Sequence, residues 1–136
     1  MDLSSFETNR QLEADGVWVD IGDEDGTQLL IARIGNPNYN RLIRARLKPH
    51  KNLLQRDAMP VEMQEKILNE VMAETILLGW KDLKYKGKKI NYSSDRALEM
   101  LNNISDFREL VLEIANSMET FRIVEAEEDV KNSKAS

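Results

Sequence analysis

The sequence predicts a mainly α domain with a small N-terminal β-hairpin, an α+β class built from about four helices. Two long segments, 60–79 and 105–128, repeat apolar residues every three or four positions, which is the period of an amphipathic helix. Nearer the N-terminus, two runs rich in β-branched and aromatic residues flank Asp25-Gly26, which predicts a hairpin over 17–34. A lone hairpin is marginally stable, so we expect it to lean on the helices or to pair with another subunit.

The first part of the chain is the least regular. Residues 1–16 have little periodicity and are expected to form a flexible lead. After the hairpin, Pro37 can open a helix over 38–48, and Pro49 stops it. Residues 50–57 then read as a basic connector.

The second part of the chain carries the longest helices. Pro60 suits the first position of the helix over 60–79, whose broad apolar face favours contact with two neighbours. Ser93 or Ser94 caps a shorter helix over 94–103. The predicted boundaries are a lead at 1–16, a single domain at 17–130 and a frayed tail at 131–136.

Composition argues against catalysis. The 136 residues contain no cysteine and one histidine, so thiolate chemistry is absent and a His-rich metal site cannot be built. Asp20, Asp23 and Asp25 precede a glycine as in a calcium loop, but the template requires acids where Ile21 and Ala32 stand. We therefore predict no enzyme activity, no metal and no cofactor.

Charge is segregated along a chain whose net charge is −5. Bases concentrate at 41–56, including Arg41 and Arg44, whereas acids dominate both ends. The basic stretches 41–56 and 81–89 could bind phosphates, with Tyr39, Tyr85 and Tyr92 stacking bases, but the acidic ends would compete with phosphate. Docking to acidic protein segments, including the protein's own acidic tail, requires fewer assumptions, so we do not expect nucleic acid as a partner.

Trp80, Tyr85 and Tyr92 cluster around the turn between the long helices. One interpretation is that they plug the end of the helix pair, and the other is that they form an exposed apolar platform for a partner. We favour the plug for Trp80 and leave both open for the tyrosines.

Several stretches from residue 58 onward resemble tail assembly chaperones of long-tailed bacteriophages. In that family a helix ends in a tryptophan, an I/V-x-Y-S/T turn leads into an A-L-x-L-L helix, and the last helix terminates in acids followed by Lys-Asn. The resemblance covers about residues 58–132, roughly half of the chain. The stretches that carry it are Ala73 to Trp80, Gly87 to Leu101, Phe107 to Val111 and Glu127 to Ser133.

The resemblance implies a non-catalytic role in virion morphogenesis. Such a protein binds the tape-measure protein, keeps it soluble while the tail tube polymerises, and is absent from the mature virion. It implies a protein that acts in the host cell cytoplasm, tends to form homo-oligomers and could also contact the major tail protein. The N-terminus lacks the features of a secretory signal and the apolar runs are too short for a membrane span, so we expect no membrane partner.

Two functions therefore remain after the sequence has been read. The first is the tail assembly chaperone, with adaptable apolar contacts from methionines. The second is a small cytosolic nucleic-acid-associated or regulatory adaptor that uses the basic 41–56 face. The residues predicted to contact a partner are Trp80, Tyr85, Tyr92, Met63, Met72, Arg41 and Arg44.

Overall fold

Helices dominate the computed structural model, which describes residues 1–117 and 119–121. The helices of the described residues are α1 (Arg10–Asp15), α2 (Pro37–Leu47), α3 (Lys51–Gln55), α4 (Val61–Thr75), α5 (Ser94–Asn103) and α6 (Ser105–Asn116). The strands are β1 (Val17–Asp20), β2 (Gln28–Ile31), β3 (Leu77–Lys81), β4 (Lys84–Tyr85) and β5 (Lys88–Lys89). The predicted fold class, mainly α with a small antiparallel sheet, is confirmed.

The predicted hairpin forms from β1 and β2, which pair antiparallel from Val17 opposite Ile31 to Asp20 opposite Gln28. A third strand, β3, pairs antiparallel with the other edge of β2, so the strand order is β1-β2-β3. The hairpin is therefore stabilised by pairing with a third strand of the same chain, which two isolated strands lack.

The helix predicted over 60–79 is wrong in its last turn, because α4 ends at Thr75 and residues 77–81 form β3. Ile76 ends the helix, and its carbonyl accepts a hydrogen bond from the Ala32 amide at 2.9 Å. Gly79 is a weak helix former, and in β3 it packs against Leu30 and Trp18. Pairing with β2 thus outweighs the helical periodicity of the local sequence.

The last helix is also shorter than the predicted 105–128, because α6 ends at Asn116. Ser117 is extended (φ −73°, ψ 117°), and a 3-10 turn follows at Glu119–Phe121. Asn and Ser compete for backbone hydrogen bonds and so favour helix ends. Residues 118 and 122–128 of the predicted helix, and the tail at 131–136, lie outside the described residues.

Residues 1–16 were predicted as a flexible lead, but much of the segment is ordered against the body. It contains a 3-10 turn at Leu3–Phe6 and helix α1, which Asn9 caps. The Asn9 amide donates to the Phe121 carbonyl at 2.7 Å, and the Arg33 amide donates to the Glu13 carbonyl at 2.8 Å. The Arg33 guanidinium also meets the Glu13 carboxylate at 3.0 Å. Contacts between residues far apart in sequence order this lead, which local periodicity cannot reveal.

The basic connector at 50–57 is mostly helical, since a 3-10 turn at Lys48–His50 runs into α3. The segment after β3 forms a second hairpin from β4 and β5. Its two-residue turn has φ of 52° at Lys86 and 81° at Gly87, the pattern of a type I′ turn.

Two groups of buried apolar side chains hold these elements together. The larger group joins the inner face of the three-stranded sheet to α4, α5 and α6, and includes Leu29, Met72, Leu77, Leu101 and Val111. The smaller group lies between α4 and the pair α2 and α3, and is built on Met59, Ile67 and Val71. No helix among the described residues is long and apolar enough to cross a membrane.

Candidate functional site

Trp80 and Tyr92 are structural residues at the edge of the larger core. Trp80 is 7% exposed, and its ring meets that of Tyr92 edge to face with centroids 4.9 Å apart. The Trp80 indole donates to the Ile90 carbonyl at 2.8 Å, and the Tyr92 hydroxyl donates to the Leu77 carbonyl at 2.7 Å. Burial raises the pKa of Tyr92. The indole N–H and the tyrosine hydroxyl thus both donate to backbone carbonyls within the chain, as the plug interpretation describes.

Tyr85 has a different setting on the exposed β4–β5 hairpin. Its side chain is 40% exposed, and the Lys86 ammonium lies 5.3 Å from the ring centroid. Two other lysines there are held by acids, Lys84 by Asp25 and Lys89 by Asp82, each at 3.0 Å. These two ion pairs offset part of the positive charge of the hairpin, which weakens it as a phosphate-binding site.

The two methionines predicted as partner contacts lie in the core groups. Met72 is fully buried in the larger group, and Met63 is half-buried against the smaller one. Both therefore belong to the hydrophobic core groups rather than to an exposed apolar patch. The structure thus divides the predicted residues: Met72, Trp80 and Tyr92 share the larger core group, whereas Met63 packs on the smaller one.

An open apolar groove lies between α4 and the pair α2 and α3. Its volume is about 300 Å³. The side chains lining it are Ile43, Leu47, Leu54, Val61, Gln64, Glu65, Ile67 and Leu68. Val61 is 68% exposed and Leu54 is 41% exposed, so large apolar side chains reach solvent here. We call these eight residues the helical groove.

Exposed bases border the helical groove on the side of α2 and α3. Arg44 is exposed one helical turn before Leu47, and Lys51 is exposed one turn before Leu54. Arg41 lies one turn before Arg44 in α2, and its guanidinium donates to the side-chain oxygen of Asn38 at 3.3 Å. The predicted basic face therefore adjoins an apolar surface rather than the aromatic turn.

The ion pair that ties α2 to α4 uses a different base. Arg46 contacts Glu70 at 2.7 Å and Glu74 at 3.5 Å. Within residues 1–117 and 119–121, no ion pair involves Arg41, Arg44, Lys48 or Lys51. These four charges are therefore available to a partner as far as the described chain is concerned.

The acidic turn between β1 and β2 is closed by hydrogen bonds between Asp23 and Thr27. Asp23 accepts from the Thr27 amide at 2.8 Å and from the Thr27 hydroxyl at 2.7 Å. These bonds lower the pKa of Asp23. Across the described part of the chain, no three His, Asp or Glu side chains come together in a way that could hold a metal ion.

Sequence reasoning missed the groove because its walls come from three separate helices. One signal was present: Leu53 and Leu54 are adjacent, so a short helix can bury only one of them well. Leu53 is half-buried in the smaller core group and Leu54 faces the groove. A helix predicted over this segment would have identified Leu54 as an apolar side chain outside the core.

Comparisons with known proteins give one match. A family model described as "YdaY prophage protein" matches residues 34–132, which is more than half of the 136-residue chain. Neither the curated proteins nor the solved structures include a match. The match supports the phage origin that the sequence resemblance implied, but does not by itself specify a tail assembly chaperone. The chain therefore belongs to the YdaY prophage protein family.

Proposed function

We propose that this prophage protein is a non-catalytic tail assembly chaperone that binds the tape-measure protein. It would keep that protein soluble in the host cell cytoplasm while the tail tube assembles. The family match over residues 34–132 supports the prophage origin, and the resemblance of residues 58–132 to tail assembly chaperones supports the specific role.

The observation that carries the proposal is the helical groove. A protein that holds an aggregation-prone partner needs apolar surface that is exposed before the partner binds. Val61 and Leu54, at 68% and 41% exposed, provide such surface beside Ile43 and Leu47. Burying each of these two side chains under a partner would contribute roughly 1–2 kcal/mol, because each is already partly covered.

Charges around the groove suit a chaperone that must itself stay soluble. Arg44, Lys48 and Lys51 are exposed on one side, and Glu65 lines the other. Charged residues beside an apolar patch oppose association of one free chaperone with another. An apolar partner segment can still cover the apolar side chains of the helical groove that lie between these charges.

The proposal is tested by co-expressing the full chain with the tape-measure protein of the same prophage. We expect the wild type to raise the soluble fraction of that protein and to co-purify with it. The variants Leu54→Lys and Val61→Glu should each lower co-purification about fivefold to tenfold, as expected for a loss of roughly 1–1.4 kcal/mol.

Leu3→Lys is the matched control, since Leu3 is 70% exposed but does not line the groove. It should behave as the wild type does. A tape-measure protein that stays insoluble and unbound with the wild type would refute the chaperone function. Full activity in both groove variants would instead remove the groove from the proposal. Co-expression with the major tail protein tests the second expected partner.

A further inference from the structure

We infer that the helical groove binds an amphipathic helix with acidic side chains along the edge that faces α2 and α3. The inference rests on the proposed function, because it specifies the kind of tape-measure segment that the groove would hold. It is carried by the placement of charges around the groove.

Exposed basic residues lie near the apolar residues by which α2 and α3 line the groove. Arg44 and Lys48 are one helical turn apart and lie on the same side of Leu47, which lines the groove. Lys51 stands one turn before Leu54, so exposed bases continue as the chain passes from α2 into α3. All three side chains are exposed.

These bases have no acidic partner among residues 1–117 and 119–121. The acids of α4 that reach α2 are Glu70 and Glu74, and Arg46 engages both. An acidic edge on a bound helix would therefore meet charges that the described chain leaves uncompensated. Apolar burial next to them would exclude water and strengthen that attraction.

The opposite wall, formed by α4, is negatively charged near the N-terminus of that helix. Glu65 lines the groove on α4, and Glu62 precedes it by one turn. A helix with acids on both edges would be repelled by these carboxylates. The occupant's acids should thus be confined to one edge, with neutral or basic residues on the other.

The dimensions suit a short helical segment rather than an extended or globular partner. The α4 wall runs from Val61 to Leu68, which is about 10 Å at 1.5 Å per residue, or two helical turns. A segment with apolar anchors at i, i+3 or i+4, and i+7 covers that length.

Three synthetic helical peptides of roughly 14 residues test the inference. They share one leucine stripe and differ along one edge, which carries glutamate, glutamine or lysine. Binding to the full chain is measured by fluorescence anisotropy at low and high salt. We expect the glutamate peptide to bind about tenfold more tightly than the lysine peptide at low salt, and the ratio to shrink as salt rises.

Charge reversal on the protein supplies the matched variants. The double variant Arg44→Glu with Lys48→Glu should reverse the preference and favour the lysine peptide, an outcome that a merely unfolded variant cannot give. Lys86→Glu with Lys88→Glu removes the same charge from the exposed β4–β5 hairpin and should leave the preference unchanged.

Several results would overturn the inference. Equal affinity for the glutamate and lysine peptides would do so, as would a single-stranded oligonucleotide that outcompetes the glutamate peptide through Arg44 and Lys48. A homodimer that the double variant dissociates would identify the occupant as a second copy of the chain, also against the inference.

The two proposals fail separately in these experiments. If the double variant still solubilises the tape-measure protein and the peptides show no edge preference, the inference fails while the chaperone function stands. If the glutamate peptide binds but the wild type does not solubilise the tape-measure protein, the chaperone function fails. The groove would then be a helix-binding surface for another partner.

Discussion

Replacing Tyr92 with phenylalanine removes a single hydroxyl and tests whether the aromatic turn is structural. That hydroxyl donates to the Leu77 carbonyl at 2.7 Å, and Leu77 is fully buried. Phenylalanine keeps the edge-to-face contact with Trp80, so the change isolates the hydrogen bond. Removing the donor leaves a carbonyl in the core without this partner.

The expected cost of Tyr92→Phe is about 1–2 kcal/mol, since a lost hydrogen bond costs roughly 1 kcal/mol and a buried unpaired acceptor adds to that. For a chain of this size the cost corresponds to a fall in Tm of about 4–8 °C. Tyr85→Phe is the matched control, because Tyr85 lies 40% exposed on the β4–β5 hairpin. It should change stability by less than about 0.5 kcal/mol.

The same variant has a signature at high pH. Burial raises the pKa of Tyr92 in the folded protein above its ordinary value of about 10. Its contribution is therefore complete below about pH 10 and is lost as pH rises through the raised folded value. Tyr92→Phe should lose less stability above pH 10 than the wild type. Tyr39, whose pKa is also raised by burial, should contribute to the slope that remains.

Urea unfolding followed by tryptophan fluorescence, at pH 7 and between pH 9 and 11, measures both effects. A Tyr92→Phe variant as stable as Tyr85→Phe would refute the structural role of the hydroxyl. Retained solubilisation of the tape-measure protein in Tyr92→Phe is also expected, because the aromatic turn lies outside the helical groove.

Two further predictions concern buried caps and the acidic turn. Asn36 caps α2 through the Asn38 and Tyr39 amides, and its own amide donates to Arg33 and Thr75 carbonyls. Asn36→Ala should cost about 2–3 kcal/mol in urea unfolding. The exposed Asn38→Ala is its control, and equal stabilities would contradict the role of the cap. Two Thr27 hydrogen bonds lower the pKa of Asp23, so their stabilisation is present above about pH 4 and lost as pH falls further. Asp23→Asn should flatten the fall in Tm between pH 5 and 2, whereas Glu24→Gln should not. If the two variants lose Tm equally over this pH range, the role of Asp23 is refuted.

Local sequence predicted several elements well. The helices observed at Pro37–Leu47 and Ser94–Asn103 occupy the predicted ranges 38–48 and 94–103 to within one residue. Both have strong end signals, Pro37 at the start of one and the Ser93 side chain capping the other at 3.0 Å. Such signals act over three or four residues, so they can be read without knowing the fold.

The errors lie where distant residues compete with the local pattern. Leu77 to Lys81 continues the helical period, yet it forms β3 because β2 offers an edge to pair with. The N-terminal lead is ordered by Arg33 and Phe121, which are far away in sequence. The candidate site shows the same division, since the basic residues were visible at 41–56 but their apolar neighbours across α4 were not.

The sequence by itself determined the fold class, the hairpin, the capped helices and the segregation of charge. These properties depend on periodicity, turn chemistry and composition, which are local. Only the tertiary structure decided that Trp80 and Tyr92 bury their polar atoms on backbone carbonyls while Leu54 and Val61 remain exposed. Whether an apolar side chain is core or surface depends on which elements pack around it, and that is fixed by contacts between helices and strands far apart in the chain.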